Sequence, residues 1–248
     1  MSCFRLVRRF SLPSSIALVS AFSLVTGSVE LFDAANTCCA QEPAKVTRAD
    51  NPNGLPVPDG DGWVSLFNGK DLSNWQQKNG WATYRIDGDS ILGMTSKNSP
   101  NSFLCTTKDY SDFELRFEVK VHNELNSGVQ IRSKSLPDKD NGRVHGPQVE
   151  IEAGPGEAGY IYGEATGRNW ISPTQPVHSN FKNNEWNQYH VRAKGKRIQT
   201  WINGKLIEDM TDPISHDSGF IGLQVHGVAP EQGPFDVRWR NIQIRELK

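Results

Sequence analysis

The 248-residue chain has little net charge, few cysteines and no apolar run long enough to cross a membrane. Its formal net charge is −1, which argues against a nucleic-acid partner, because phosphate backbones are bound by basic surfaces. The run "IALVSAFSLV" has about ten residues, about half of what a membrane-spanning helix needs. No stretch after residue 60 has a long 3.6-residue apolar period, so a helical fold is disfavoured.

The first forty residues have the pattern of an export signal. The apolar run from Ile16 to Val25 follows a basic segment that contains Arg5, Arg8 and Arg9. A basic segment followed by a short apolar one is typical of a secretory signal peptide. We therefore predict a signal peptide over residues 1–40 and a periplasmic or secreted protein without a membrane span after cleavage.

Small residues around "TCCAQE" predict that the mature chain begins near Gln41, and an uncleaved anchor or a lipid on Cys38 are the alternatives. Cleavage leaves Cys105 as the single cysteine, so the mature domain has no internal disulfide. Residues 41–60 are rich in Pro, Asn and Gly and lack periodicity, which predicts a flexible linker. The folded domain is expected over residues 61–248.

The rest of the chain has the alternating pattern of β-strands. In "DFELRFEVKV", apolar residues occupy every second position from Phe113 to Val121, which is typical of a half-buried strand. The segments "SGVQIRS", "PQVEIEA", "GFIGLQVHG" and "FDVRWRNIQIREL" repeat the pattern. Asn203 and Gly204 between two such runs predict a tight hairpin, because a type I′ turn needs positive φ at both central residues. These strands predict an all-β, two-sheet antiparallel sandwich.

The stretch "HGPQVEIEAGPGEAGYIYGE" from His145 to Glu164 points to a site. Its strand places Val149 and Ile151 on one face, and an amide and two carboxylates on the other. Like charges at neighbouring same-face positions lie roughly 7 Å apart and repel each other modestly. Either solvent or a chemical function compensates for this repulsion.

Five motifs in a fixed order resemble a known family. They are "GWVSLFNGKDLSNW", "FELRFEVKVHNELNSGVQIRS", "EWNQYHVRAKGKRIQTWINGKLI", "GFIGLQVHG" and "VRWRNIQIREL". Together they resemble the 3-keto-disaccharide hydrolase domain family over about residues 62–247. The resemblance implies a concanavalin-like or laminin-G-like jelly roll, a role in breaking down 3-keto sugars, and a site that includes the "LQVHG" segment. It does not decide whether this member is catalytic.

Alternation identifies the side chains that face away from the core on three strands. Amides, carboxylates and arginine are suited to hydrogen bonding with sugar hydroxyls. A sugar ring could also stack on Trp170 or Trp201, and the aromatic loop over 153–185, which includes Tyr162, is expected to form a wall of the groove. The outward-facing polar candidates are Gln130, Arg132, Gln148, Glu150, Glu152, Gln224 and His226.

Each candidate also has a structural interpretation. Glu150 and Glu152 could be solvated strand carboxylates paired with Arg132. A single histidine on a strand, such as His226, is more often structural than catalytic. The tryptophans could pack against the sandwich, and the long loop could be an excursion that never contacts ligand.

A 3-keto sugar needs one base, an enolate stabiliser and an acid, because the C3 carbonyl acidifies the hydrogen on C2. We assign Glu150 as the base, with its pKa raised by Glu152 and partial burial. Arg132 would stabilise the enolate and His226 would protonate the leaving oxygen. Gln130, Gln148 and Gln224 would hold hydroxyls. No zinc motif is present, and scattered carboxylates do not establish a calcium site, so no metal or other cofactor is expected.

Other functions fit the same fold. Concanavalin-like glycanases carry an ExDxE strand, but Gln148 stands at the first carboxylate position here, and an amide cannot form the glycosyl ester of a double displacement. A carbohydrate-binding module without turnover is the main alternative, because fold does not decide function. A structural envelope protein with an empty groove is a third interpretation.

Overall fold

The computed structural model describes residues 61–248. The predicted signal peptide and the predicted linker lie outside these residues. The described part of the chain contains strands and no α-helix, so no helix within it is long and apolar enough to span a membrane. Two antiparallel sheets pack face to face, which confirms the predicted sandwich.

The described residues form fifteen strands. In chain order these are β1 (Val64–Ser65), β2 (Trp75–Asn79), β3 (Thr83–Asp87), β4 (Ser90–Met94), β5 (Ser102–Thr106), β6 (Phe113–Val121), β7 (Ser127–Leu136), β8 (Arg143–Ile151), β9 (Ile161–Glu164), β10 (Asn169–Trp170), β11 (Asn187–Lys194), β12 (Arg197–Ile202), β13 (Lys205–Thr211), β14 (Phe220–Val225) and β15 (Asp236–Glu246).

The strands divide between an eight-stranded and a seven-stranded sheet. The eight-stranded sheet has the order β13-β12-β11-β6-β15-β4-β3, and β1 pairs with the end of β15. The seven-stranded sheet has the order β10-β9-β8-β7-β14-β5-β2. Neighbours in space are often distant in sequence, so most of the core forms between segments that are far apart along the chain.

The core lies between the two sheets and follows the alternation of the sequence. The apolar positions of β6 are at most 2 % exposed, and they meet the apolar positions of the facing sheet. The facing residues are Val129, Ile131, Val149, Ile151, Ile221, Leu223 and Val225. Because this face is fully apolar, the polar residues between these positions must lie on the outer face of the seven-stranded sheet.

The predicted hairpin is confirmed at Asn203 and Gly204. Both residues have positive φ, 50° and 79°, and they connect β12 to β13. Positive φ at both central positions is what the type I′ turn requires. Asn203 also accepts a hydrogen bond at Oδ1 from the backbone N–H of Gln188, which ties the hairpin to β11.

A bulge bends the β7–β8 hairpin over the outer face of the seven-stranded sheet. Gln130 pairs with Gln148, but Lys134 pairs with His145, so β7 has one more residue than β8 in this interval. The hairpin then contacts β2, where the backbone N–H of Asn79 donates to the carbonyl of Asn141 at 2.8 Å. The bent hairpin forms one wall above the sheet.

Candidate functional site

A cleft of about 460 Å³ lies on the outer face of the seven-stranded sheet. One wall includes Arg143, next to the turn of the bent hairpin, and another is formed by the segment that carries β9 and β10. Most of the candidates from the sequence meet here, namely Gln148, Glu150, Glu152, Tyr162, Trp170, Gln224 and His226.

Strand register sets the position of the two central polar groups. Glu150 on β8 pairs with Gly128 on β7, while Leu223 on β14 pairs with Val129. Glu150 and Gln224 therefore lie on either side of Gly128, roughly 10 Å apart at two strand spacings. Gly128 has no side chain, and the carboxamide of Gln148 occupies the space above it, 2.5 Å from where a Cβ would be.

A chain of hydrogen bonds orients the amides beneath Glu150. Ser133 Oγ donates to Gln130 Oε1 at 2.6 Å, and Gln130 Nε2 donates to Gln148 Oε1 at 2.7 Å. Gln148 Nε2 then donates to Glu150 Oε1 at 2.6 Å. Because every donor points the same way, the chain ends by presenting an N–H group to the carboxyl of Glu150. Gln130 is fully buried in this chain rather than lining the cleft.

Glu150 is a buried carboxyl group in a polar setting. It is 6 % exposed, and burial raises its pKa to about 7. The hydrogen bonds from Gln148 and from Asn126 Nδ2, the latter 3.1 Å long, act in the opposite direction because they stabilise the charged form. The charges of Glu152 and Glu164 raise the pKa by smaller amounts. The sequence interpretation predicted the direction of the pKa shift correctly but attributed too much of the shift to Glu152.

Glu152 has a structural partner of its own. Its Oε1 accepts the backbone N–H of Glu157 at 2.5 Å, which closes the turn after β8. Gly156 leaves room for this contact, because a Cβ there would lie 1.9 Å from the same oxygen. Glu152 therefore shapes the wall of the cleft and also adds negative charge near Glu150.

The cleft contains a second buried carboxyl group, Glu164, which was not among the candidates from the sequence. It is 7 % exposed, and burial raises its pKa, while Arg143, His226 and Asn101 act in the opposite direction. Arg143 Nη2 lies 3.8 Å from its Oε1, and Asn101 Nδ2 lies 3.4 Å from its Oε2. The alternation in "YIYGE" could have identified it, because Glu164 has the same parity as Tyr162.

His226 and Gln224 bring two further polar groups to the cleft. The Nδ1 atom of His226 lies 2.5 Å from the carbonyl oxygen of Gly227, so this nitrogen carries the hydrogen and Nε2 is left for other partners. The side chain of Gln224 is fully buried, and neither its Oε1 nor its Nε2 has a hydrogen-bond partner within residues 61–248. Buried amides are nearly always paired, so the Gln224 amide is expected to bond to a water molecule or a ligand in the cleft.

Arg132 does not join the cleft. It lies in the bulge of β7 with φ of 48°, which turns its side chain away from the outer face. The guanidinium donates to the carbonyls of Ser111 and Gly195 and to Asp112 Oδ1 at 2.9 Å. These bonds tie the bulge to loops of the eight-stranded sheet. The extra residue of the bulge is the reason that simple alternation gave the wrong face.

The aromatic candidates separate between the two sheets. Tyr162 and Trp170 lie in the cleft, with ring centroids 5.5 Å apart and planes at 82°. Trp201 lies on β12 of the other sheet, where it stacks on His190 at 4.9 Å. Alternation alone assigns a residue to the inside or outside of a sandwich, but not to one of its two outer faces.

Several lining residues come from loops and connections, where the sequence has no periodicity to interpret. They include Asn101, Asn126 and Glu157. Within the described range, no three His, Cys, Asp or Glu side chains are grouped to hold a metal ion.

Comparison with known proteins identifies the family and the fold. The model of the 3-keto-alpha-glucoside-1,2-lyase-like domain family matches residues 62–245, and this is the family that the sequence motifs resemble. A search of curated proteins found no match.

Solved structures share the fold at low identity. A candidate glycosyl hydrolase of Parabacteroides distasonis is similar with a TM-score of 0.55 and 18% identity, over 78% of this chain and 100% of its own. A carbohydrate-binding module of Bacillus subtilis has a TM-score of 0.50 and 17% identity, over 71% of this chain and 98% of its own. A β-glucanase of Bacillus licheniformis has a TM-score of 0.54 and 12% identity, over 75% of this chain and 97% of its own. These likenesses show the fold alone, a jelly roll as predicted.

Proposed function

Because the chain belongs to the 3-keto-alpha-glucoside-1,2-lyase-like domain family, we propose that it cleaves 3-keto-glycosides by C2 proton abstraction, elimination and hydration. The observation that carries this proposal is Glu150, a buried carboxyl group with a pKa raised to about 7 at the floor of a polar cleft. A general base is most effective when its pKa lies near the working pH.

Glu150 is proposed to start the reaction. Its carboxylate takes the hydrogen on C2 as a proton, and the electron pair of the C–H bond moves toward the C3 carbonyl to give an enolate. The enolate re-forms the carbonyl while the C1–O bond breaks, which leaves a C1=C2 double bond. Water then adds across this bond and yields the free 3-keto sugar.

The departing oxygen needs a proton, and we assign it to the pair formed by His226 and Glu164. Both line the cleft, and burial raises the pKa of Glu164, which favours the protonated form that an acid needs. His226 directs Nε2 to partners other than Gly227, since Nδ1 is engaged there. The pair thus extends the role that the sequence gave to His226 alone.

The developing enolate needs a hydrogen-bond donor, and Arg132 is not available for this role. Gln224 is the replacement we favour, because its unpaired amide lies across Gly128 from Glu150. Arg143 lines the same cleft and brings a positive charge to it. Gln148, Tyr162 and Trp170 would hold and orient the sugar.

The proposal is tested by Glu150→Gln. The amide keeps the shape of the side chain, and Asn126, which is only partly buried, can rotate its own amide to accept from it. Turnover of a 3-keto-glucoside should fall about 100-fold or more, which is typical of a lost general base, while binding is retained. Binding by the wild-type protein without any release of sugar would instead support a carbohydrate-binding module.

Substrates with different leaving groups test the acid. Glu164→Gln and His226→Gln should slow the cleavage of a 3-keto disaccharide, whose alkoxide leaving group needs protonation. The same variants should retain most of their activity on a 4-nitrophenyl 3-keto-glucoside, which leaves as a stable anion. Glu150→Gln serves as the control, because loss of the base slows both substrates. Equal losses on both substrates for the acid variants would contradict the assignment.

We also propose that the protein acts outside the cytoplasm, as the basic and apolar pattern of residues 1–40 indicates. N-terminal sequencing of the protein from its native cells should find a chain that begins near Gln41. An intact Met1 in a cytoplasmic fraction would contradict export.

A further inference from the structure

The outer face of the eight-stranded sheet carries a second groove, on the opposite side of the sandwich from the cleft. Its volume is about 560 Å³. Its lining includes Trp63, Arg116, Gln188, His190, Trp201 and Gln243, together with the carboxylate of Glu118. None of them lines the cleft, and the proposed reaction uses none of them.

Strand register places four of these residues in one row across the sheet. Trp201 pairs with His190, His190 pairs with Arg116, and Arg116 pairs with Gln243. The rings of Trp201 and His190 stack with planes 23° apart. The Arg116 guanidinium lies 4.0 Å from the centre of the Trp63 ring, and its Nε donates to Gln243 Oε1 at 2.7 Å. The groove is therefore floored by planar aromatic, amide and guanidinium groups.

Arg116 is the charged group of this row that lacks a carboxylate partner. It is exposed and forms no ion pair with any residue in the range 61–248. Its neighbours on β6 are already engaged, Glu114 by Arg245 and Glu118 by Arg240. The terminal nitrogens of Arg116 are therefore free to bind an external anionic group in the forked geometry that guanidinium prefers.

His190 adds an unsatisfied polar atom to the floor. Its Nε2 is buried and has no hydrogen-bond partner in the part of the chain that the structure describes. Burial lowers the pKa of His190, and Arg116, Arg245 and Arg192 lower it further, while Glu114 acts in the opposite direction. The lowered pKa favours the uncharged ring, which lines the groove and stacks on Trp201.

We propose that this groove binds an acidic saccharide chain, with Arg116 holding a carboxylate or sulfate group and Trp201 packing against a neighbouring sugar ring. Aromatic faces pack against the apolar face of a pyranose, and amides such as Gln188 and Gln243 are suited to its hydroxyls. Arg116 and Trp201 are two strand spacings apart, roughly 10 Å, so they would contact successive units of a chain rather than one sugar. Such a groove would hold the protein on a polymer while the cleft on the other sheet stays open.

Affinity electrophoresis tests the proposal with native gels that contain polygalacturonate, dextran sulfate or neutral dextran. The wild-type protein should be retarded by at least one acidic polymer and not by dextran. Arg116→Gln and Trp201→Ala should each weaken the retardation about tenfold in apparent Kd, through the loss of one hydrogen-bonded ionic contact and of one aromatic packing contact respectively. Retardation by polygalacturonate alone identifies a carboxylate ligand, and retardation by dextran sulfate alone identifies a sulfate ligand.

Lys120→Gln is the matched control, because it removes one positive charge from an exposed position on the same strand and the same face. It should bind like the wild-type protein, and so should Glu150→Gln, which alters only the cleft. An equal loss in Lys120→Gln and Arg116→Gln would mean that diffuse charge binds the polymer, and would overturn the proposal. It would also be overturned by equal retardation in dextran, or by no retardation in any polymer.

Discussion

The protonation state of Glu150 affects both the stability of the fold and the proposed reaction. Its pKa is near 4.5 in an unfolded chain and about 7 in the fold. Between these values the folded protein binds more protons than the unfolded chain, so the free energy of unfolding decreases as the pH rises through this window. The shift corresponds to about 3 kcal/mol. The carboxylate that the proposed reaction needs is thus the form that destabilises the fold.

This linkage predicts a difference between the wild-type protein and Glu150→Gln. The stability of the wild-type protein relative to the variant should decrease by about 3 kcal/mol between pH 4.5 and pH 8, because only the wild-type protein has this titrating group. Urea unfolding of both proteins at several pH values measures the difference. Parallel pH profiles would show that Glu150 titrates normally.

Glu152 has a smaller predicted effect, on the pH dependence of turnover. Removing its negative charge lowers the pKa of Glu150, so Glu152→Gln should move the acidic limb of the pH-rate profile to lower pH. The amide oxygen can still accept the N–H of Glu157, which preserves the turn. Profiles of kcat/KM for both proteins measure the shift. A shift to higher pH would show that charge repulsion is not what Glu152 contributes.

At the scale of the strands, the contact between β7 and β8 depends on Gly128. A Cβ at this position would lie 2.5 Å from the Gln148 carboxamide, which would have to leave its bonds with Gln130 and Glu150. Gly128→Ala should therefore lower the free energy of unfolding by about 1–3 kcal/mol, as overpacking does, and reduce turnover.

A double-mutant cycle separates this clash from other effects of the alanine. In a Gln148→Ala background the space above residue 128 is empty, so Gly128→Ala should cost much less stability there than in the wild-type protein. Urea unfolding of the four proteins gives the coupling energy. Equal costs in both backgrounds would show that the Gln148 side chain is not the obstacle.

At the scale of the whole molecule, stability comes from the apolar layer between the sheets. Leu223 is fully buried there, next in sequence to Gln224 of the cleft. Leu223→Ala should lower the free energy of unfolding by about 2–5 kcal/mol through lost packing and a cavity. Leu206→Ala is the matched control, because Leu206 is 54% exposed, and its cost should stay within about 0.5 kcal/mol. Chemical denaturation measures the free energy of unfolding of both variants. Similar losses in the two variants would contradict the assignment of Leu223 to the core.

The same layer also separates two outer faces with different contents. The cleft on the seven-stranded sheet is rich in carboxylates and amides, while the groove on the eight-stranded sheet has aromatic rings and an arginine that has no carboxylate partner within residues 61–248. Because a packed core lies between them, substitutions on one face are expected to leave the other face unchanged. Variants at one site therefore serve as controls for the other site.

The sequence by itself determined the features that depend on neighbouring residues. Alternation identified the strands, and the burial of Val149 and Ile151 implied that Gln148 and Glu150 face outward. The Asn203–Gly204 turn follows from the backbone conformations those residues tolerate. The alternation in "YIYGE" could also have identified Glu164 as a candidate, because Glu164 shares a face with Tyr162.

Only the tertiary structure decided which outer face each residue joins and how deeply it is buried. The bulge in β7 removed Arg132 from the cleft, and the order of the strands placed Trp201 on the opposite sheet. The raised pKa of Glu150 comes mainly from desolvation by burial. Strand order, bulges and desolvation depend on contacts between segments far apart in sequence, and alternation within one strand has no information about them.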